Sequence, residues 1–67
     1  MNEYETNEVY VISGRGKVWV IDMSKYVGKT ISLGEKIKIN GIVGKVVGIE
    51  KATFSKNIGV IINEKEK

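Results

Sequence analysis

Ten isoleucines, nine valines and three threonines stand against a single leucine and a single alanine in 67 residues. Side chains branched at Cβ lose rotamer freedom in a helix and pack well on a pleated surface, so the composition argues against a helical bundle and for an all-β fold. The length leaves room for one domain, close to the size below which a hydrophobic core alone no longer holds a chain together. The chain has no cysteine and no histidine, so no disulfide or zinc cluster can staple it. Stability must come from a well-packed β core or from association with another chain. The same absences remove thiol nucleophiles, imidazole bases and His-containing triads. Asp22, Glu35, Glu50 and four serines remain, in no recognisable catalytic motif. The expectation is a non-enzyme with no cofactor and no metal.

No apolar run approaches the roughly 18 residues of a membrane span, and no charged start leads into an apolar stretch as in a signal peptide. A cytoplasmic protein is expected, which the lack of cysteine fits. The net charge of +3 is unevenly spread. Residues 1–8 carry Glu3, Glu5 and Glu8 and no base, while residues 9–62 carry Arg15 and eight lysines against Asp22, Glu35 and Glu50. Such a field concentrates phosphate backbones or acidic protein surfaces. Residues 1–8 are polar and without periodicity, so they read as a flexible acidic arm with Tyr4 its only sticky residue. Opposite signs suggest that this arm folds back over the basic face. Residues 63–67 read as a flexible tail, leaving 9–62 as the folded unit.

Within that unit, Val9 to Ser13 and Lys17 to Ile21 read as strands joined through Gly14-Arg15-Gly16, whose glycines permit a tight turn. The stretch from Asp22 to Gly34 reads as a long connection containing one brief strand at Thr30 to Leu33. Lys36 to Ile39, then Asn40-Gly41, then Ile42-Val43 is the strongest local signal, because Asn-Gly suits a two-residue type I′ hairpin turn. Its register opposes Ile39 to Ile42, Lys38 to Val43, Ile37 to Gly44 and Lys36 to Lys45, with 37, 39, 42 and 46 on the core face. Val47 and Ile49 have the other parity, so a bulge at Gly44 or Gly48 is expected to switch faces midway. Glu50 to Lys56 reads as a polar turn holding Phe54, and Asn57 to Ile62 as the last strand. Five or six short antiparallel strands in so short a chain most simply make one small closed or nearly closed β-barrel.

Tyr10-Val11-Ile12-Ser13-Gly14-Arg15-Gly16-Lys17-Val18, followed by Ile31-Ser32-Leu33-Gly34-Glu35-Lys36-Ile37, resembles the β-barrel domain that follows the GTPase domain in translation factors such as elongation factor Tu and initiation factor 2. Lys45 to Glu50 and Asn57 to Ile62 look like its later strands. The likeness covers residues 9–62, with Ile21 near the family's usual glycine and a longer connection from Gly16 to Gly34. It implies a barrel whose Gly-Arg-Gly loop lies towards RNA or the ribosome.

The candidate functional residues follow from charge and exposure. Gly28-Lys29-Thr30 lacks the first glycine of a phosphate-binding loop, Met23 standing in its place, and Gly41-Ile42-Val43-Gly44 lies in a hairpin rather than in a KH loop. Neither carries nucleotide or KH chemistry. Lys36 opposite Lys45, extended by Lys38, offers a phosphate or carboxylate contact, and Arg15 at a hairpin tip suits bidentate phosphate recognition. The leading expectation is therefore a binding module for RNA or a ribonucleoprotein through Arg15, Lys17, Lys36, Lys38 and Lys45. The alternative is a protein-interaction or assembly module, binding a partner protein or a second copy. It would use an outer apolar patch of Tyr10, Trp19 and Ile21, on condition that Val18 and Val20 point inward.

Overall fold

The computed structural model describes residues 1–51 and 55–64. Among them six strands form one sheet: β1 (Glu3–Tyr4), β2 (Val9–Ile12), β3 (Gly16–Asp22), β4 (Lys36–Ile39), β5 (Ile42–Lys51) and β6 (Asn57–Asn63). The spatial order is β1-β4-β5-β6-β3-β2. The fold is all-β as expected, but the sheet is mixed and open rather than an antiparallel closed barrel. Its cause lies in the N-terminal segment, which supplies both edges. β1 runs parallel to β4, with Glu3 beside Lys38 and Tyr4 beside Ile39. A few residues later β2 runs antiparallel to β3. The two edges are thus joined by the chain itself, through residues 5–8, and not by a ladder.

Residues 1–8 are accordingly not a free arm. Tyr4 is 1% exposed and packs its ring edge-on against Tyr26, with centroids 4.8 Å apart. Thr6 makes the crossing between the edges. Its amide donates to Asn40 Oδ1 and its carbonyl accepts from Asn40 Nδ2, while its hydroxyl donates to the Val20 carbonyl and accepts from the Glu8 amide.

The β4–β5 hairpin has the anticipated register, Lys36 opposite Lys45 through Ile39 opposite Ile42. Asn40 and Gly41 take φ of +50° and +84°, as a type I′ turn demands. The parity switch in β5 is present too, between Val46 and Gly48. Val47 is the extra residue, so the irregularity sits just before Gly48 and not at Gly44. It leaves Val47 exposed and lets Ile49 rejoin the core side. In the connection after β3, the expected strand at 30–33 is absent. The chain instead makes a 3₁₀ helix, Met23–Lys25, capped by Asp22, and then reaches Ile31, which is buried without strand pairing. Phe54 lies outside the described residues, as does the end of the tail at 65–67.

The core gathers Tyr4, Trp19, Ile21, Ile31, Ile37, Ile39, Val46 and Val60. Alternation turns Val18 and Ile61 to the opposite face, and they are buried as well. Gly59 makes that possible: a Cβ there would stand 2.7 Å from Val18 Cγ1.

Candidate nucleic-acid interface

The lysines of the β4–β5 hairpin owe their placement to strand alternation. Ile37, Ile39 and Val46 point into the core, so Lys36, Lys38 and Lys45 stand on the outer face. Lys36 and Lys45 are direct cross-strand neighbours. On its other side Lys45 faces Asn63 of β6, and two pairs further along the hairpin Lys38 lies between Val43 and Glu3. Like charges directly opposite each other cost stability unless the side chains splay or an anion sits between them. Among the described residues no carboxylate lies within ion-pairing distance of Lys36 or Lys45.

Lys17 comes from β3, where it shares the core-side parity of Trp19 but lies at the open end of the sheet. Its Nζ stands over the indole ring at 5.2 Å from the centroid. The Trp19 ring closes the core below, so the ammonium sits at the rim of a shallow groove shared with Ile62, Asn63 and Glu64. Asn63 thus borders both the Lys36–Lys45 pair and the Lys17 groove. Lys36, Lys38 and Lys45 share the outer face of β4 and β5, whereas Lys17 stands on the core side of β3, two strands away from β5.

Arg15 is different. The turn holds it with Gly14 and Gly16 at φ of +83° and +100°, and its amide donates to the Ile12 carbonyl at 2.9 Å. Its guanidinium does not project from the tip. It folds back to pair with Glu50, over the space where Gly48 has no side chain. Both partners are part-exposed, so this surface pair contributes at most about 1 kcal/mol, yet it neutralises the arginine. The expected group of five cations is therefore three lysines on one face, with Lys17 on the other and Arg15 already engaged.

The arm's carboxylates do not mask the lysine pair. Glu3 falls beside Lys38, while Glu8 lines a hollow with Asp22 and Lys25. The Asp22 carboxylate accepts from the Ser24 hydroxyl and the Ser24 amide, and these two bonds hold its pKa below the usual range.

The outer apolar patch of Tyr10, Trp19 and Ile21 does not form. Trp19 and Ile21 face the core, opposite Val60 and Ile58 of β6, and are 5% and 0% exposed. Val18 and Val20 take the opposite face of the sheet, where Val18 is buried and Val20 half-buried. Tyr10 remains on the surface, in company that the sequence reading did not single out: Val9 and Val11 on the same edge strand are exposed as well. The signal was present in the uninterrupted apolar run from Val9 to Ile12, but it does not say which face is covered.

No group of three or more acidic, histidine or cysteine side chains that could hold a metal occurs among the described residues. No helix among them is long and apolar enough to cross a membrane. No family model, curated protein or solved structure matches the chain.

Proposed function

We propose that this chain is a non-catalytic binding module that contacts the phosphate backbone of RNA, free or in a ribonucleoprotein, through Lys36 and Lys45, with Lys38 extending the contact along the same face and Lys17 adding one from the other side of the sheet. The opposition of Lys36 and Lys45 across the β4–β5 hairpin carries the reading. Two ammonium groups held side by side suit a phosphate, which relieves their repulsion and accepts hydrogen bonds from both. The resemblance to translation-factor barrels points to the same partner class and to a cytoplasmic setting. Arg15 has a secondary part, because it must first leave Glu50.

An amide-resolved NMR titration with a short unstructured RNA at low and high salt tests this. The expected result is shifts confined to Lys36, Lys38, Lys45 and Lys17 and their neighbours. They should fade at high salt, as the release of condensed counterions requires. The double variant Lys36→Glu/Lys45→Glu should abolish them. Shifts indifferent to salt, or none at either salt, would overturn the proposal.

A further inference from the structure

We infer that the Asn40-Gly41 turn is a self-modifying site, guarded by the Thr6 crossing and able to hold that crossing open once it has reacted. The site is independent of the lysine pair. An asparagine side chain can bring its Cγ within ring-closing reach of the next backbone nitrogen. Attack by that nitrogen forms a five-membered imide; the side-chain nitrogen leaves as ammonia, taking the proton of the attacking amide. Water then opens the imide at either carbonyl and leaves an aspartate or an isoaspartate. Glycine is the best following residue, because no Cβ crowds its nitrogen. Asn2, Asn7, Asn57 and Asn63 precede glutamate or isoleucine, and Asn40 alone precedes glycine.

The fold both presents the reactants and restrains them. Asn40 and Gly41 are exposed at the hairpin tip, so water reaches both. The Gly41 amide, the nucleophile, donates to no acceptor among the described residues. Both ends of the Asn40 side-chain amide are held, however. Its Oδ1 accepts from the Thr6 amide at 2.9 Å, and its Nδ2 donates to the Thr6 carbonyl at 2.8 Å. The Asn40 amide is fixed as well, donating to the Tyr4 carbonyl at 2.9 Å. Ring closure requires Cγ to approach the Gly41 nitrogen to about 3 Å, and expulsion of Nδ2 breaks its bond to Thr6 in any case. The Thr6 bonds therefore stabilise the unreacted state and not the transition state.

Reaction proceeds through the fraction of molecules in which the crossing is open. That fraction depends on the Thr6 hydroxyl, which ties the crossing to the Val20 carbonyl and the Glu8 amide. Once formed, a carboxylate at position 40 has no hydrogen to donate to the Thr6 carbonyl and sets two acceptors face to face. An isoaspartate also adds a methylene to the backbone of a two-residue turn. Opening thus admits the reaction, and the reaction opposes closing again.

Incubation at neutral pH, with peptide-mapped mass spectrometry following amide-to-acid conversion at Asn40, tests the inference. The folded chain should convert slowly, and the same chain in urea at least about tenfold faster. Thr6→Ala removes the hydroxyl bonds and spares the Thr6 backbone; it should keep the circular dichroism spectrum and speed conversion by about tenfold. Thr6→Ser, which retains the hydroxyl, should convert as slowly as the native chain. Asn40→Asp, read by amide hydrogen exchange, should exchange the Thr6 and Glu8 amides faster than the native chain does. Equal rates in the folded and urea-unfolded chains, or no conversion in the folded chain, would overturn the inference. So would a folded Thr6→Ala that is no faster, or an Asn40→Asp whose crossing exchanges as slowly as the native one. The comparison of folded and unfolded native chain needs no variant.

Discussion

Asn40 and Thr6 exchange two hydrogen bonds across 34 positions of sequence, Thr6 N to Asn40 Oδ1 at 2.9 Å and Asn40 Nδ2 to Thr6 O at 2.8 Å. One residue thus serves two purposes. Its backbone makes the tight turn between β4 and β5, and its side chain anchors the crossing that joins the two edges of the sheet. Replacing Asn40 by glycine separates them, because glycine accepts the positive φ but has no amide. Each bond contributes about 0.5 to 1.5 kcal/mol. Asn40→Gly is expected to lose about 1 to 3 kcal/mol in urea unfolding, with the hairpin register intact and faster exchange at the Thr6 amide. A loss of register would show that the side chain, and not the turn, sets the hairpin.

Gly59 is a second point where one residue decides how two strands meet. A Cβ on it would lie 2.7 Å from Val18 Cγ1 and 3.3 Å from Glu50 Cβ. Overpacking of this kind typically costs about 1 to 3 kcal/mol. Gly59→Ala should destabilise by that amount, and Val18→Ala in the same chain should recover part of it although it is destabilising by itself. A double-mutant cycle in denaturant measures the coupling; additive effects would mean that β6 shifts to make room.

These contacts also explain what could be read in advance. The β4–β5 hairpin was legible because Asn40-Gly41 is a local signal with a single favoured geometry, and register then follows from counting. The outward lysines came with it. The position of Tyr4 was not legible, because a two-residue strand has no periodicity and the bonds that hold it come from Asn40 and Tyr26, far along the chain. The facing of Trp19 was not legible either. Both faces of β3 are apolar, one turned to the core and the other holding Val18 buried against Gly59 of β6, so alternation alone offers no way to choose. The engagement of Arg15 depends on Gly48 and Glu50 lying beneath the hairpin tip, a relation that exists only after β5 and β6 have paired.

The Tyr4 hydroxyl is buried with no hydrogen-bond partner among the described residues. Burial, reinforced by the nearby charge of Glu35, raises its pKa above 10.0, and the approach of the Asn2 side chain opposes this without reaching hydrogen-bond geometry. A raised folded-state pKa means that the protonated form is favoured by folding. The contribution is complete below the unfolded value near 10 and is lost as pH rises through the folded one. Stability of the native chain should therefore fall on titration above pH about 10 more steeply than that of Tyr4→Phe. At neutral pH the variant should be as stable or more so by about 1 kcal/mol, having shed an unsatisfied hydroxyl. Parallel alkaline unfolding curves for the two proteins would refute the assignment.

The bulge in β5 gives a prediction about length. Val46 opposes Ile62, Gly48 opposes Ile61 and Ile49 opposes Val60, so Val47 is the residue left over. Removing it leaves Val46 inward, Gly48 outward, Ile49 inward and Glu50 outward, which is the alternation of a regular strand. Deleting either valine yields the same sequence. The shortened chain should fold with the Arg15–Glu50 pair intact, at a cost of about 0.5 to 3 kcal/mol from the lost bend where β5 passes from β4 to β6. Deleting Ile49 instead keeps the bulge and turns Glu50 towards the core, away from Arg15. An unpaired buried carboxylate costs several kcal/mol, more than a domain of this size can absorb. Thermal unfolding of the two deletions side by side distinguishes these outcomes: cooperative melting is expected for the valine deletion and none for the isoleucine deletion. Equal loss from both would mean that the bulge itself, with its local twist, is required for the sheet to form.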